Sequence, residues 1–301
     1  MMDIHLFGVP LDCGKVRAGC LMGPDALRTA GLPATLRGLG HRVTDHGNIV
    51  PGPTPALESP GLHALGETVA WTEALASCAV PPGLPIWMGG DHALSLGTGL
   101  ASARRAAAAG RPLFLLWLDA HADYHTPATT ASGNLHGTPL GYLAGRDGFD
   151  AFPANDTPVP LSQVCLIGLH SVDAPERAAL EASEATLVDM RAIDERGIAR
   201  PLAAFLDRVG RANGHLHVSL DVDFLDPAVA PAVGTTVPGG ATIREGHLAM
   251  EMIHDSGLMT ALDVVELNPA LDERGRTAQA MVDLIASACG ARVFDRPTPS
   301  F

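Results

Sequence analysis

Short apolar runs alternate with longer helical patterns from one end of the chain to the other, and this alternation constrains the fold more than any single residue does. Eight runs read as strands, at residues 4–9, 42–45, 85–89, 113–119, 164–169, 185–189, 216–222 and 261–266. Helix-like stretches lie between them, among them 24–39, 62–79, 94–109, 135–144, 201–209 and 243–254, most of them closed by a glycine. The run Leu113-Phe114-Leu115-Leu116-Trp117-Leu118 is apolar at every position, as expected of a parallel strand buried on both faces. The expectation is an α/β fold, a single three-layer αβα domain around a central, mostly parallel eight-stranded sheet. With 301 residues, 47% of them hydrophobic, the chain can bury such a core. No repeat interrupts the pattern, and the stretches 51–55 and 149–160 read as surface loops rather than linkers. One domain therefore spans 1–301, and 294–301, which carries Pro297 and Pro299, reads as a short tail or a subunit contact.

Several function classes drop out early. A net charge of −13 disfavours nucleic acid or an anionic membrane as partner, because both reward a basic face. The N-terminus lacks a basic segment followed by an apolar, cleavable one, and no run of eighteen apolar residues occurs, which predicts a soluble, cytoplasmic protein. Only one of the twenty basic residues, Lys15, is a lysine, so Schiff-base chemistry would have to use it. Val16 follows Gly14-Lys15 where a phosphate-binding loop needs Ser or Thr. The five cysteines form no C-x-x-C pair, which fits neither a disulfide scaffold nor a structural zinc site.

Ligands of open α/β sheets bind beyond the carboxyl ends of the strands, so the residues leaving each strand carry the functional information. Four exits stand out: Gly89-Gly90-Asp91-His92, Asp119-Ala120-His121-Ala122-Asp123, Asp221-Val222-Asp223 and Glu266-Leu267-Asn268-Pro269. On an extended chain alternate residues point the same way, which would send Asp119, His121 and Asp123 to one side, and Asp221 and Asp223 likewise. Any one of these acids alone would read as a helix cap or turn former. Converging together, four carboxylates would repel one another and be costly to desolvate unless cations balanced them, and two divalent ions match their charge. With His92 and His121 the set offers two nitrogen and four carboxylate ligands, suited to manganese first and to cobalt, iron or nickel next; zinc alone fits less well.

These motifs resemble the metal and guanidinium motifs of the ureohydrolases. Within them, residues 126–137, Thr-Pro-Ala-Thr-Thr-Ala-Ser-Gly-Asn-Leu-His-Gly, are similar to the arginases in particular. The resemblance runs through nearly the whole chain, from Gly8-Val9-Pro10 and Met22-Gly23-Pro24 to the segment ending at Glu266. It implies two Mn2+ ions held by His92, Asp119, His121, Asp123, Asp221 and Asp223, bridged by carboxylate oxygens and sharing a water that becomes a hydroxide near neutral pH. It further implies that this hydroxide attacks a guanidinium carbon, that Glu266 holds the guanidinium, and that His136 shuttles a proton to the leaving amine, with Asp123 counted in the catalytic set. Thr130 and Ser132 would take the carboxylate of an amino-acid substrate and Asp173 its ammonium, with His125 and Thr235 completing the binding set. L-Arginine would yield L-ornithine and urea in a homotrimer or homohexamer.

His125 stands where arginases usually have Asn, and His170 where Arg is commoner, so the amino-acid end is where a different guanidino substrate would be selected: Nω-hydroxyarginine, 4-guanidinobutyrate or agmatine. Other classes fit less well. A binuclear phosphoesterase needs a Gly-Asn-His-Asp or -Glu segment that does not occur. Residues 97–102, Gly-Thr-Gly-Leu-Ala-Ser, lack the third glycine of a dinucleotide loop and follow His92 rather than a strand. A non-catalytic metal-binding role would be marked by a missing ligand or shuttle residue, and all are present.

Overall fold

A computed structural model describes residues 1–294; the tail expected at 294–301 lies, past its first residue, outside the described residues. Eight strands, β1 (Asp3–Val9), β2 (Arg42–Asn48), β3 (Leu84–Gly89), β4 (Leu113–Leu118), β5 (Val164–Leu169), β6 (Thr186–Asp189), β7 (His215–Asp221) and β8 (Met259–Val265), form one sheet in the order β2-β1-β3-β8-β7-β4-β5-β6. Every pairing is parallel, so the sheet is wholly rather than mostly parallel. Around it lie α1 (Gly23–Thr29), α2 (Leu32–Gly38), α3 (Leu65–Ala76), α4 (Ser95–Ala108), α5 (Pro139–Leu143), α6 (Ala174–Glu181), α7 (Met190–Arg196), α8 (Ala199–Arg211), α9 (Ile243–Ser256) and α10 (Arg276–Ala288). None of these helices is long and apolar enough to cross a membrane.

The side-chain alternation along β4 makes the three layers. Leu116 and Leu118 enter one core with Met88, Leu220 and residues of α8, α9 and α10. Leu115 and Trp117 enter the other, with Trp87 and residues of α3, α4 and α5. Because each fully buried large apolar side chain contributes about 1.5–3 kcal/mol, a strand with all six positions buried is favourable only between two helical layers.

Two expected helices differ by more than their ends. The stretch 24–39 divides into α1 and α2 because Gly31, at φ 93, breaks the helical path. The stretch 135–144 shrinks to α5 because the Leu135 and His136 amides both donate to the Gly14 carbonyl, at 2.7 and 3.0 Å, instead of opening a helix. This turn leaves His136 in an irregular segment above the sheet.

Candidate metal and substrate site

The strand order sets β3, β8, β7 and β4 side by side, and the four motif-bearing exits are those of these four neighbours. Non-adjacent stretches of sequence thus converge at one end of the sheet, where the long irregular stretches between β4 and α5 and between β7 and α9 also lie. The exit of β4 is not extended, as the alternation argument supposed. The strand ends at Leu118, and Asp123 sits in left-handed backbone at φ 49; Asp223 lies in a single 3-10 turn, Val222–Phe224, after β7. The side chains converge through turns rather than through strand alternation. Such backbone costs about 1–3 kcal/mol and persists only where surrounding contacts enforce it, as it does again at Glu266, at φ 68.

Two groups of possible ligands share Asp119: His92 with Asp119 and Asp123, and His121 with Asp119 and Asp223. His92 Nδ1 lies 2.8 Å from Asp123 Oδ2, 3.1 Å from Asp119 Oδ2 and 3.1 Å from Asp221 Oδ2. His121 Nδ1 lies 3.0 Å from Asp223 Oδ2 and 3.6 Å from Asp119 Oδ1. Asp221 stands outside both groups but shares the His92 nitrogen. Three of the carboxylates spend one oxygen on backbone: the His121 amide donates to Asp119 Oδ1 at 2.7 Å, the Asp223 amide to Asp221 Oδ1 at 2.9 Å and the Ala120 amide to Asp223 Oδ1 at 3.1 Å. Those bonds fix the acids and turn their remaining oxygens toward the imidazoles.

This donor set fits divalent cations on two counts. His92 Nδ1 and Asp123 Oδ2 are buried and carry no hydrogen bond, which is expensive unless something else satisfies them. Burial, then the charges of Asp223 and Asp119, push Asp221 well above the usual carboxylate range, and burial with the Asp119 charge pushes Asp223 up to about 6. The site therefore demands positive charge. Around it the imidazole is already oriented: His92 Nε2 is 2.7 Å from Ser219 Oγ, and the ring stacks on Trp117 at 4.6 Å and 6°. With its proton on Nε2, donated to Ser219, the ring leaves the Nδ1 lone pair free toward the carboxylates. Trp117 in turn donates from Nε1 to Asp119 Oδ2 at 3.1 Å.

A cavity of about 350 Å³ opens over this edge. Of the sequence-derived residues, His92, His121, Asp123, Asp221, Asp223, His136 and Glu266 line it, and so do His125, Thr130, Ser132, Asp173 and Thr235. Of the six expected metal ligands, Asp119 is absent from the lining, being buried. Glu266 Oε1 accepts from the His92 amide at 2.9 Å and lies 3.0 Å from His136 Nδ1; its other oxygen pairs with Lys15. Burial opposes a charge on His136, but the Glu266 carboxylate outweighs it and raises the imidazole above its ordinary range. Elsewhere in the lining His125 Nε2 stands 3.2 Å from Asp173 Oδ2 and 3.4 Å from Glu176 Oε2, while Thr130 Oγ1 and Ser132 Oγ lie 3.3 Å apart.

His170 does not reach this cavity. Its ring nitrogens lie 2.6 Å from the Gly168 carbonyl and 3.1 Å from that of Val237, so it ties two loops together. Glu176 and Asn134, which do line it, were not among the expected site residues. In the sequence Glu176 reads only as a capping box with Asp173 three residues earlier, a pattern that announces the start of α6 rather than a site; in the structure it also accepts from the Tyr124 amide at 2.8 Å. Asp91, in the Gly-Gly-Asp-His exit, is buried and accepts from the Gly14 and Ala93 amides at 2.7 and 3.0 Å, so it holds the N-terminal loop against the site.

Comparison with known proteins agrees with this geometry. The sequence profile described as "Arginase family" matches residues 2–290. The chain is 55% identical over 306 residues to the arginase of Brucella melitensis, covering 100% of both chains. It is 53% identical over 303 residues to the arginase of Agrobacterium fabrum, covering 99% of this chain and 94% of the relative. Its structure is similar to that of arginase from Bacillus subtilis, with a TM-score of 0.87, 33% identity, and coverage of 98% of this chain and 100% of the other. A chain with this sheet order, this convergence of acids and histidines, and this degree of similarity along its full length belongs to the arginase family.

Proposed function

We propose that the protein hydrolyses the guanidino group of L-arginine to L-ornithine and urea at a binuclear metal site. One observation carries the reading: two ligand groups sharing Asp119 stand at a cavity that Glu266, His136, Thr130, Ser132 and Asp173 also line. The relatives named as arginases support the choice of substrate.

His92, Asp119, His121, Asp123, Asp221 and Asp223 would hold the two ions, and two imidazole nitrogens with four carboxylates favour Mn2+ over the other first-row divalent ions. When bound, the pair would supply a hydroxide nucleophile near neutral pH by lowering the pKa of water. Glu266 faces the cationic guanidinium with a charge-assisted contact and aims its carbon at the metal edge. His136, tied to Glu266 through Nδ1, passes a proton to the departing amine. Thr130 and Ser132 take the substrate carboxylate, Asp173 its ammonium, and His125 and Thr235 close the pocket around the chain between them. A homotrimer or homohexamer, supported by the family resemblance, located in the cytoplasm, completes the reading.

A second reading, hydrolysis of another guanidino compound such as Nω-hydroxyarginine, 4-guanidinobutyrate or agmatine, is favoured by the position of His125. Its Nε2 already engages Asp173 and Glu176, the acids an ammonium would need. Urea release by manganese-loaded protein from these compounds and from arginine separates the two. Arginine is expected to be turned over fastest; turnover of agmatine without turnover of arginine would reject the first reading.

A further inference from the structure

The one lysine of the chain lies against Glu266. Its ammonium pairs with Oε2 and stands 3.1 Å from Cys20 Sγ, with only 2% of the side chain exposed. Lys15 does not line the substrate cavity into which Glu266 opens; with Asp12, Cys13, His63 and Glu67 it lines a separate depression. Glu266 thus has the cavity on one side and a buried cation on another. Lys15 is not needed to aim the carboxylate. Oε1 is already held by the His92 amide at 2.9 Å and by His136 at 3.0 Å, and the Glu266 amide donates to the Gly90 carbonyl at 2.9 Å. What the ammonium adds is charge, where burial keeps Coulomb interactions strong.

We propose that Lys15 is a specificity-determining residue, a fixed positive charge beside the guanidinium-holding carboxylate that raises KM and kcat together for a cationic substrate. The inference rests on the function proposed above. In the hydrolytic step an oxygen electron pair forms the new C–O bond while the C=N π pair moves onto nitrogen. A guanidinium of charge +1 and a hydroxide of charge −1 thereby become an uncharged tetrahedral adduct. Because Lys15 touches the carboxylate that would hold the cation, it repels the guanidinium more strongly than it attracts the hydroxide farther off at the metal edge; both charges vanish in the adduct, so ground-state binding weakens while the barrier from the bound state falls. A neutral ligand at the same place feels neither effect.

The test uses manganese-loaded Lys15→Met and Lys15→Gln, two uncharged side chains of different shape, with Lys15→Arg as the charge-retaining control. Steady-state urea release from L-arginine is measured, together with competitive inhibition by guanidinium and by urea. Both uncharged variants are expected to lower KM and kcat together by about tenfold and to bind guanidinium about tenfold more tightly. Urea inhibition stays as in the parent, and Lys15→Arg resembles the parent throughout. Guanidinium affinity that is unchanged or weaker in both uncharged variants, or a lower kcat with KM unchanged or raised, overturns the proposal. Glu266→Gln separates the two levels. If it binds guanidinium as tightly as the parent, Glu266 does not hold the guanidinium and the reading of the site falls with the inference. If it weakens binding while the Lys15 variants fail to tighten it, the inference alone falls.

Discussion

Ser219→Ala probes how the site prepares its first imidazole. Ser219 is fully buried in β7, and its Oγ lies 2.7 Å from His92 Nε2. The substitution deletes one hydrogen bond worth about 1 kcal/mol net and leaves a buried ring N–H without an acceptor, a further loss of about 1–3 kcal/mol. The stack on Trp117, at 4.6 Å and 6°, still constrains the ring plane, so the ring loses its preferred tautomer more than its place. Loss of a partner of this kind weakens metal affinity by about 10–100-fold. The weakening should fall on the ion held by the His92 group and spare the one held through His121, whose ring does not contact Ser219. Calorimetric titration of metal-free protein with Mn2+ in a competing chelator would read this as one displaced and one unmoved binding phase. Equal weakening of both phases, or a change below about twofold in the phase of the His92 ion, would refute the assigned role of Ser219.

Three further substitutions test other parts of the structure. Asp263→Asn should destabilise the fold by about 2–4 kcal/mol, because Asp263 Oδ2 accepts from Ser95 and Thr98 at 2.6 Å each and lies 3.0 Å from His217 Nε2. Burial alone would raise the Asp263 pKa, but the His217 charge and the hydroxyls depress it. Its contribution is therefore present above the carboxylate pKa of the unfolded chain and lost as pH falls through the lower folded value, so chemical denaturation across that acid window should show a shallower decline in the variant. Gly90→Ala should cost at least about 3 kcal/mol or abolish folding, since a Cβ there would stand 2.4 Å from the Leu11 carbonyl oxygen and 2.5 Å from that of Val9; a melting temperature within a few degrees of the parent would contradict this. His125→Ala should raise KM for arginine about tenfold with kcat changed less than threefold and leave any agmatine turnover alone if, as proposed, His125 beside Asp173 serves the amino-acid end of the substrate; a matching loss with both substrates would place it elsewhere.

Much of this was legible in the sequence because it is local. The unbroken apolar run of β4 announces burial on both faces, and the acids and histidines that follow β3, β4 and β7 sit where parallel sheets bind ligands. What escaped is long-range or depends on backbone path. Lys15 and Glu266 are 251 positions apart, and nothing at either position announces the other. The hydrogen bonds from Leu135 and His136 to Gly14, which unwind the expected start of α5, join segments about 120 residues apart whose approach only the sheet order decides. Glu176 was masked by its ordinary capping position, and His170 by a motif comparison that gave its place in the chain but not its two carbonyl partners.

The most direct test of two-ion arginine hydrolysis is urea production from L-arginine by metal-free protein titrated with Mn2+. Activity should be negligible at the start and rise to a plateau at two equivalents per chain. Full activity in the metal-free protein, or a plateau at one equivalent, would contradict it.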